Sequence, residues 1–217
     1  LNNVSFASLS KIQDDIERLR SVYRKMIKTS AFIVFPLMFG LSAVSLPLIF
    51  FTIGTKWELC AQILQIICFM FVFMPIQSLN INLIQAMGRS DLSLKISVVG
   101  KVLSLLVLFG SLPFGIIPMC WFSVISSVVI LLINFYYVGK LLELSILSQL
   151  KDLFPSACLS AIMYIAVFFT ISLFTTDWIQ LLAGIFVGMA LYTGLAYVFK
   201  MKSLYDTIGV IKNMVHK

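Results

Sequence analysis

Six stretches of about twenty apolar residues, none containing a carboxylate, leave this chain little choice of fold. They cover about 29–52, 59–84, 92–112, 116–138, 153–174 and 178–199. A helix of roughly 20 apolar residues matches the ~30 Å hydrocarbon core of a bilayer. Inside lipid every backbone polar group must find its partner within the protein, which restricts spanning segments to helices or closed barrels. Blocks this long and this continuous read as membrane-spanning helices. The expected fold is therefore all-α: a polytopic membrane helix bundle with six transmembrane helices. Composition agrees, with 60% hydrophobic and 12% charged residues where a soluble domain carries about a quarter charged.

Residues 1–28 read as an amphipathic connector, 29–199 as the six-helix membrane lobe and 200–217 as an amphipathic tail. Connector and tail are both expected at the membrane surface. The net charge of +7 would suit nucleic acid, but its distribution points to membrane topology. Lys11, Arg18, Arg20, Arg24, Lys25 and Lys28 precede the first span. Arg89 and Lys95 follow the second, Lys140 and Lys151 the fourth, and Lys200, Lys202, Lys212 and Lys217 the sixth. On the opposite side stands Lys56. Positive residues stay on the cytoplasmic side, so both termini are expected there, and no nucleic-acid partner is implied. Trp57, Trp121 and Trp178 all fall at the other interface, where amphipathic rings prefer to sit. In "GTKWE", Thr55 and Glu58 have the spacing of a capping box for the second helix, and Asp177 is placed to cap the sixth.

The first span contains Pro36, Gly40 and Pro47. Each proline removes a backbone donor, so two kinks or breaks are expected. Bent helices of this kind serve opening motions in transporters, although membrane helices also tolerate proline without any such role. Gly184 and Gly188 form a G-x-x-x-G face, which suits intramolecular packing better than homodimerisation because this helix has neighbours in its own chain. Cys60, Cys68, Cys120 and Cys158 are far apart and inside apolar blocks. They read as free buried thiols, with neither a disulfide framework nor a metal site.

The nine acids are Asp14, Asp15, Glu17, Glu58, Asp91, Glu143, Asp152, Asp177 and Asp206, each expected in a loop, tail or helix end. The one histidine, His216, is next to last. A hydrolase or transferase needs a nucleophile with a base, paired carboxylates or a metal. No such set can be assembled, so an enzyme is disfavoured and no cofactor is expected. The lack of an intramembrane acid also argues against ion coupling through a carboxylate within these spans.

Two features remain as candidate binding groups. Lys101 lies inside the third span, six residues or about 9 Å beyond Lys95. Its ammonium either snorkels to the headgroups or faces a watery cavity and attracts an anion such as a phosphate. On the second span, Ser78, Asn82 and Gln85 fall within one narrow arc at 100° per residue, with Gln77 and Asn80 on another. Neutral amides bond sugar hydroxyls at a smaller desolvation cost than charges. They can equally serve as glue between helices. Ser78, Asn82, Gln85 and Lys101 are the candidate cavity lining.

The segments "SLSKIQDDIERLRSVYRK", "FPLMFGLSAVSLPLI", "GTKWE", "LNINLIQAMGRSDLSLK", "SLPFGI", "NFYYVGKLL" and "QLKDLFP", in this order, resemble bacterial polysaccharide-export flippases. These are the Wzx-type lipopolysaccharide biosynthesis proteins of the multidrug/oligosaccharidyl-lipid/polysaccharide exporter superfamily. Members usually show "FPALSKIQDD", whereas Phe6-Ala7-Ser8 here lacks the proline. The resemblance implies a protein of two lobes in the bacterial inner membrane that moves undecaprenyl-pyrophosphate-linked oligosaccharide by alternating access. Its partners would be that lipid-linked oligosaccharide, the membrane lipids and a missing N-terminal lobe of the same protein. The chain begins with Leu1 and shows no signal-peptide pattern, so it is expected to be the C-terminal lobe of a longer chain. The family supplies no residue-level motif for the site. Two other readings stay open: a cation-coupled drug antiporter of the same superfamily, and a non-transporting scaffold in a polysaccharide-assembly complex.

Overall fold

Prolines set where the helices break and where they do not. Pro47 has no N–H for the carbonyl of Ala43, and Pro75 has none for that of Phe71, four residues back in each case. In the computed structural model, which describes residues 15–199 with Leu9 and Met201, helices end at those two residues. The first helix, α1 (Ile16–Ala43), stops before Val44 and resumes as α2 (Ser45–Thr52). Likewise α3 (Glu58–Phe71) stops before Val72 and resumes as α4 (Met74–Ala86). Four further helices follow: α5 (Ser90–Ser111), α6 (Ile116–Leu142), α7 (Ile146–Ser172) and α8 (Asp177–Val198). All regular structure among the described residues is helical. Six segments are long and apolar enough to cross a membrane: Ile16–Ala43, Thr55–Ala86, Ser90–Phe114, Ile116–Leu142, Ile146–Ser172 and Asp177–Val198. This is an all-α, multi-pass membrane protein.

Several local expectations change. The first membrane-length helix begins at Ile16, not near 29, and runs through the expected connector boundary without interruption. Leu19, Tyr23, Ile27, Ala31 and Phe35 recur every fourth residue along it and are all buried. Pro36 does not break it. The expected capping box does not form, because a 3₁₀ turn at Thr55–Trp57 moves the start of α3 to Glu58. Glu58 instead accepts from Gln62 Nε2 at 3.3 Å. Asp177 occupies the first position of α8, and Thr176 ahead of it makes no side-chain cap. Beyond Met201 the tail expected at the membrane surface, with His216, lies outside the described residues, as do Lys11 and Asp14 of the connector.

The chain divides into two compact units. One takes in residues up to Ile27 together with Phe73–Leu153, the other Lys28–Val72 and the residues from Phe154 onward.

In the first unit α4, α5 and α6 pack on one another. The α4–α5 turn is a Schellman motif. Gly88 adopts φ 73°, Arg89 N–H donates to the Ile84 carbonyl at 3.1 Å, and Gly88 N–H donates to that of Gln85 at 3.0 Å. Glycine suits that left-handed position. Residues 15–27 dock onto the α6–α7 turn through charge. Arg20 donates to the Leu142 carbonyl at 2.7 Å and to Glu143 at 3.2 Å. Arg24 grips Asp152 with two bonds of 2.6 and 2.8 Å. Asp152 is thus a correction to the sequence reading. It lies within α7 and is buried, with Arg24 neutralising it. Beside this pair the Tyr23 hydroxyl reaches Asn80 Oδ1 at 2.6 Å and Gln149 Oε1 at 2.9 Å. Gln149 Nε2 donates to the Phe135 carbonyl at 3.0 Å. The three side chains are at most 1% exposed.

The second unit is held by close packing. Phe32, Ala43, Val44, Leu159, Met163, Val167, Tyr192 and Ala196 form its core. Gly184 and Gly188 are buried against it. A Cβ at Gly184 would stand 2.9 Å from Val44 Cγ1 and 3.3 Å from Val167 Cγ1. The glycine face therefore serves packing within the chain. Tyr192 explains why Pro36 leaves α1 whole. Pro36 cannot donate to the carbonyl of Phe32, and the Tyr192 hydroxyl does so instead, at 2.8 Å. A neighbouring helix restores the satisfaction that the proline removed.

Candidate functional site

A cavity of about 870 Å³ opens in the first unit between α4, α5 and α6. Helix α4 contributes Gln77, Ser78 and Asn82, with Met74 and Ile81. From α5 comes one stripe at helical spacing: Ile96/Ser97, Gly100/Lys101, Ser104/Leu105 and Leu108. Residues at i, i+4 and i+7 share a helix face, so Ser97, Lys101 and Ser104 line up over about 10 Å of axis. Helix α6 closes the wall with Ile130 and Asn134.

The structure brings Ser78, Asn82 and Lys101 onto this one cavity. Lys101 is exposed and makes no hydrogen bond or ion pair among the described residues. Gln85 lies elsewhere: the Gly88 turn brings Ser93 opposite it, and its Nε2 donates to Ser93 Oγ at 3.2 Å. The other arc of α4 joins helices. Gln77 donates to the Ser127 carbonyl on α6 at 3.0 Å while also touching the cavity, and Asn80 belongs to the Tyr23 network.

The sequence reading missed Ser97, Ser104 and Asn134. For the two serines the signal was present, since with Lys101 they occupy one face of the third span. Each bonds the carbonyl four residues back, Ser97 to Ser93 at 2.8 Å and Ser104 to Gly100 at 2.9 Å. This satisfies the hydroxyl proton and leaves oxygen lone pairs free. Asn134 does the same with its amide nitrogen, which donates to the Ile130 carbonyl at 2.9 Å.

Chemically the wall offers hydroxyl and amide groups, one cation and apolar surface, with no carboxylate among the described lining residues. It can receive a polar ligand carrying negative charge, and among the described lining residues the hydroxyls of Ser97 and Ser104 are spent on backbone carbonyls, not on Lys101. No group of three or more His, Cys, Asp or Glu able to hold a metal occurs among the described residues. Cys68 and Cys120 are buried free thiols, and Cys60 and Cys158 are partly buried ones.

Comparison with known proteins gives this architecture a context. Residues 1–62 match a family described as "Polysaccharide biosynthesis protein". The lipopolysaccharide biosynthesis protein WzxC of Escherichia coli is 34% identical over 45% of this chain and 20% of its own length. The teichuronic acid biosynthesis protein TuaB of Bacillus subtilis is 25% identical over 94% of this chain and 42% of its own. A Klebsiella pneumoniae membrane protein of the cps region is 30% identical over 51% of this chain and 23% of its own. The chain thus spans less than half the length of these relatives. Among solved structures, the lipid II flippase MurJ in an inward closed conformation superposes with a TM-score of 0.64. It is 22% identical, and the match covers 90% of this chain and 43% of that one. The fold is shared with that flippase, and the likeness to Wzx-type polysaccharide biosynthesis membrane proteins is carried by the family match and by these relatives together.

Proposed function

We infer that this chain is a six-helix lobe of a transporter in the bacterial inner membrane. The transporter flips polyprenyl-pyrophosphate-linked oligosaccharide by alternating access for surface polysaccharide synthesis. The distribution of lysine and arginine favours both termini on the cytoplasmic side. Ser78, Asn82 and Lys101 form part of the wall that meets the substrate, and a second lobe of the same protein supplies the opposite wall. The observation that carries this reading is the cavity, whose described lining offers amides, hydroxyls and a lysine and no carboxylate, a set that suits a sugar linked to phosphate. The shared flippase fold and the polysaccharide-biosynthesis relatives support it. A cation-coupled drug exporter would need an intramembrane acid; the described lining of this cavity supplies none, and the rest of the transporter would have to.

The test is translocation of a fluorescent lipid-linked oligosaccharide by the full-length protein in proteoliposomes. Wild-type protein should accelerate it. Asn82→Leu combined with Lys101→Leu should slow it by about tenfold or more, since one hydrogen bond and one charge contact are lost. An unchanged rate in the double variant overturns the assigned wall. A wild-type protein that gives no translocation above empty vesicles overturns the flippase reading.

A further inference from the structure

Five buried polar side-chain atoms have no partner among the described residues: Ser45 Oγ, Asn80 Nδ2, Ser126 Oγ, Asn134 Oδ1 and Ser160 Oγ. Three are hydroxyls, which can rotate toward a carbonyl of their own helix. Asn80 Nδ2 sits on an amide already engaged by Tyr23. Asn134 Oδ1 is different in kind. It is an acceptor only, and the amide that carries it is fixed by its bond to the Ile130 carbonyl. Of the five residues, Asn134 alone lines the cavity, with a relative exposure of 1%. A buried acceptor left without a donor is costly, and such atoms call for a specific explanation.

In this structure the oxygen is covered, and a small opening of the wall presents it to an O–H or N–H from a molecule in the cavity that Asn134 lines. The same wall carries Lys101, a cation with no counter-charge among the described residues. The ligand that satisfies both supplies an anionic group and a hydroxyl donor together. Lys101 takes the anion as a mobile point charge on a long stem. Asn134, on a short side chain anchored to its own helix, reads the hydroxyl at a fixed place.

We propose that Asn134 is a specificity-determining residue of the cavity, accepting a hydroxyl from the carbohydrate of a glycosyl phosphate whose anionic group meets Lys101. This rests on the reading of the cavity as a substrate wall and adds to it a division of labour. Lysine answers to any lipid phosphate, including ordinary headgroups. Asparagine separates glycosylated from unglycosylated phosphates. A site built to bond a hydroxyl discriminates against an analogue that lacks it, because the buried partner is then left unpaired.

The experiment measures binding to the full-length protein in nanodiscs, using three probes. They are a short-chain prenyl pyrophosphoryl disaccharide, the same prenyl pyrophosphate without sugar, and short-chain phosphatidic acid as a headgroup control. Wild-type protein should favour the glycosylated probe by about tenfold over the bare pyrophosphate, the size of one lost buried hydrogen bond. Asn134→Leu should abolish that preference, weakening the glycosylated probe about tenfold more than the bare pyrophosphate. Lys101→Gln should weaken the glycosylated and bare pyrophosphates by the same factor. Asn134→Ala, smaller and a better helix former, carries the same expectation should the leucine disturb α6. A preference that survives both Asn134 substitutions overturns the proposal and assigns the orphan oxygen to a buried water. Equal wild-type affinity for phosphatidic acid and the glycosylated probe also overturns it. Wild-type protein that binds neither pyrophosphate probe overturns it together with the flippase reading, so the two failures are told apart.

Discussion

The two units of this chain solve the same problem with different chemistry. Helices in lipid gain little from hydrophobic burial against one another, because lipid tails are as apolar as leucine. The second unit answers with close contact. Gly184 and Gly188 let α8 approach its neighbours, leaving no room for a side chain at Gly184. The first unit answers with polar bonds: Arg24 on Asp152, Arg20 on the α6–α7 turn, Tyr23 between two amides, Gln77 on Ser127. The cavity belongs to the polar unit. Polar side chains that lock helices and polar side chains that face a ligand come from the same vocabulary, and α4 carries both on different arcs. Among the described residues the packed unit carries fewer such bonds, Gln65 on Tyr164 and Ser42 on the Gln65 carbonyl.

This contrast can be broken from either end. The largest effect is expected at Arg24. Arg24→Met removes the two charge-assisted bonds that the buried Asp152 receives from this guanidinium, and breaking a buried pair by removing one partner is destabilising. With Arg24 itself 40% exposed, the cost should be about 2–3 kcal/mol, below the range for fully buried pairs. It should be read as a lower midpoint of thermal unfolding in detergent. Asp152→Asn in the same background should recover most of the loss, because the charge that needed neutralising is gone. Next in size is Gly184→Val. It overfills the contact with Val44 and Val167 and should cost roughly 2 kcal/mol, whereas Gly194→Ala, where a Cβ meets nothing within 4 Å, should not destabilise. If Gly184→Val were silent while Arg24→Met was severe, polar locking would dominate both units and the comparison would fail.

How much of this was legible in the sequence follows from the range of each interaction. Number and type of spans follow from local hydropathy. The helix end at Ala43 is also expected from Pro47, whereas Pro36, read by the same rule, leaves α1 whole, and the break before Pro75 was not read from the sequence. The start of α1 at Ile16 was not legible, because the polar groups of that stretch are held by Glu143 and Asp152, more than a hundred positions away. The missing capping box has a local cause in the 3₁₀ turn, but a spacing pattern alone does not distinguish Thr55 at a cap from Thr55 in that turn. At the candidate site, Ser78 and Asn82 could be grouped from a 100° period. Gln85 fits the same arc and is drawn off by Ser93, which only the turn at Gly88 brings near. Asn134 is a single amide in an apolar span, and nothing in its neighbours announces that its oxygen is unpaired.

The smallest effect sharpens the comparison most, because it concerns a polar bond inside the packed unit. Tyr192 donates to the Phe32 carbonyl that Pro36 leaves unserved. Tyr192→Phe keeps the ring, which sits 5.2 Å from that of Phe32 between centroids, and removes the donor. The expected loss is about 1 kcal/mol, the size of an ordinary hydrogen bond with its acceptor left buried. If the bond exists to repair the proline, the loss must vanish when the proline does. Pro36→Ala restores an N–H at position 36 and lets α1 complete its own ladder. In that background Tyr192→Phe should be close to neutral, giving a coupling energy of about 1 kcal/mol in a double-mutant cycle. A Tyr192→Phe cost that stays the same with and without Pro36 would mean the hydroxyl serves another partner. The polar bonds of the second unit would then lock helices as those of the first unit do. Vanishing of the cost would establish that this bond repairs the backbone, unlike the Gln65–Tyr164 and Ser42–Gln65 bonds of the same unit, which join helices as those of the first unit do.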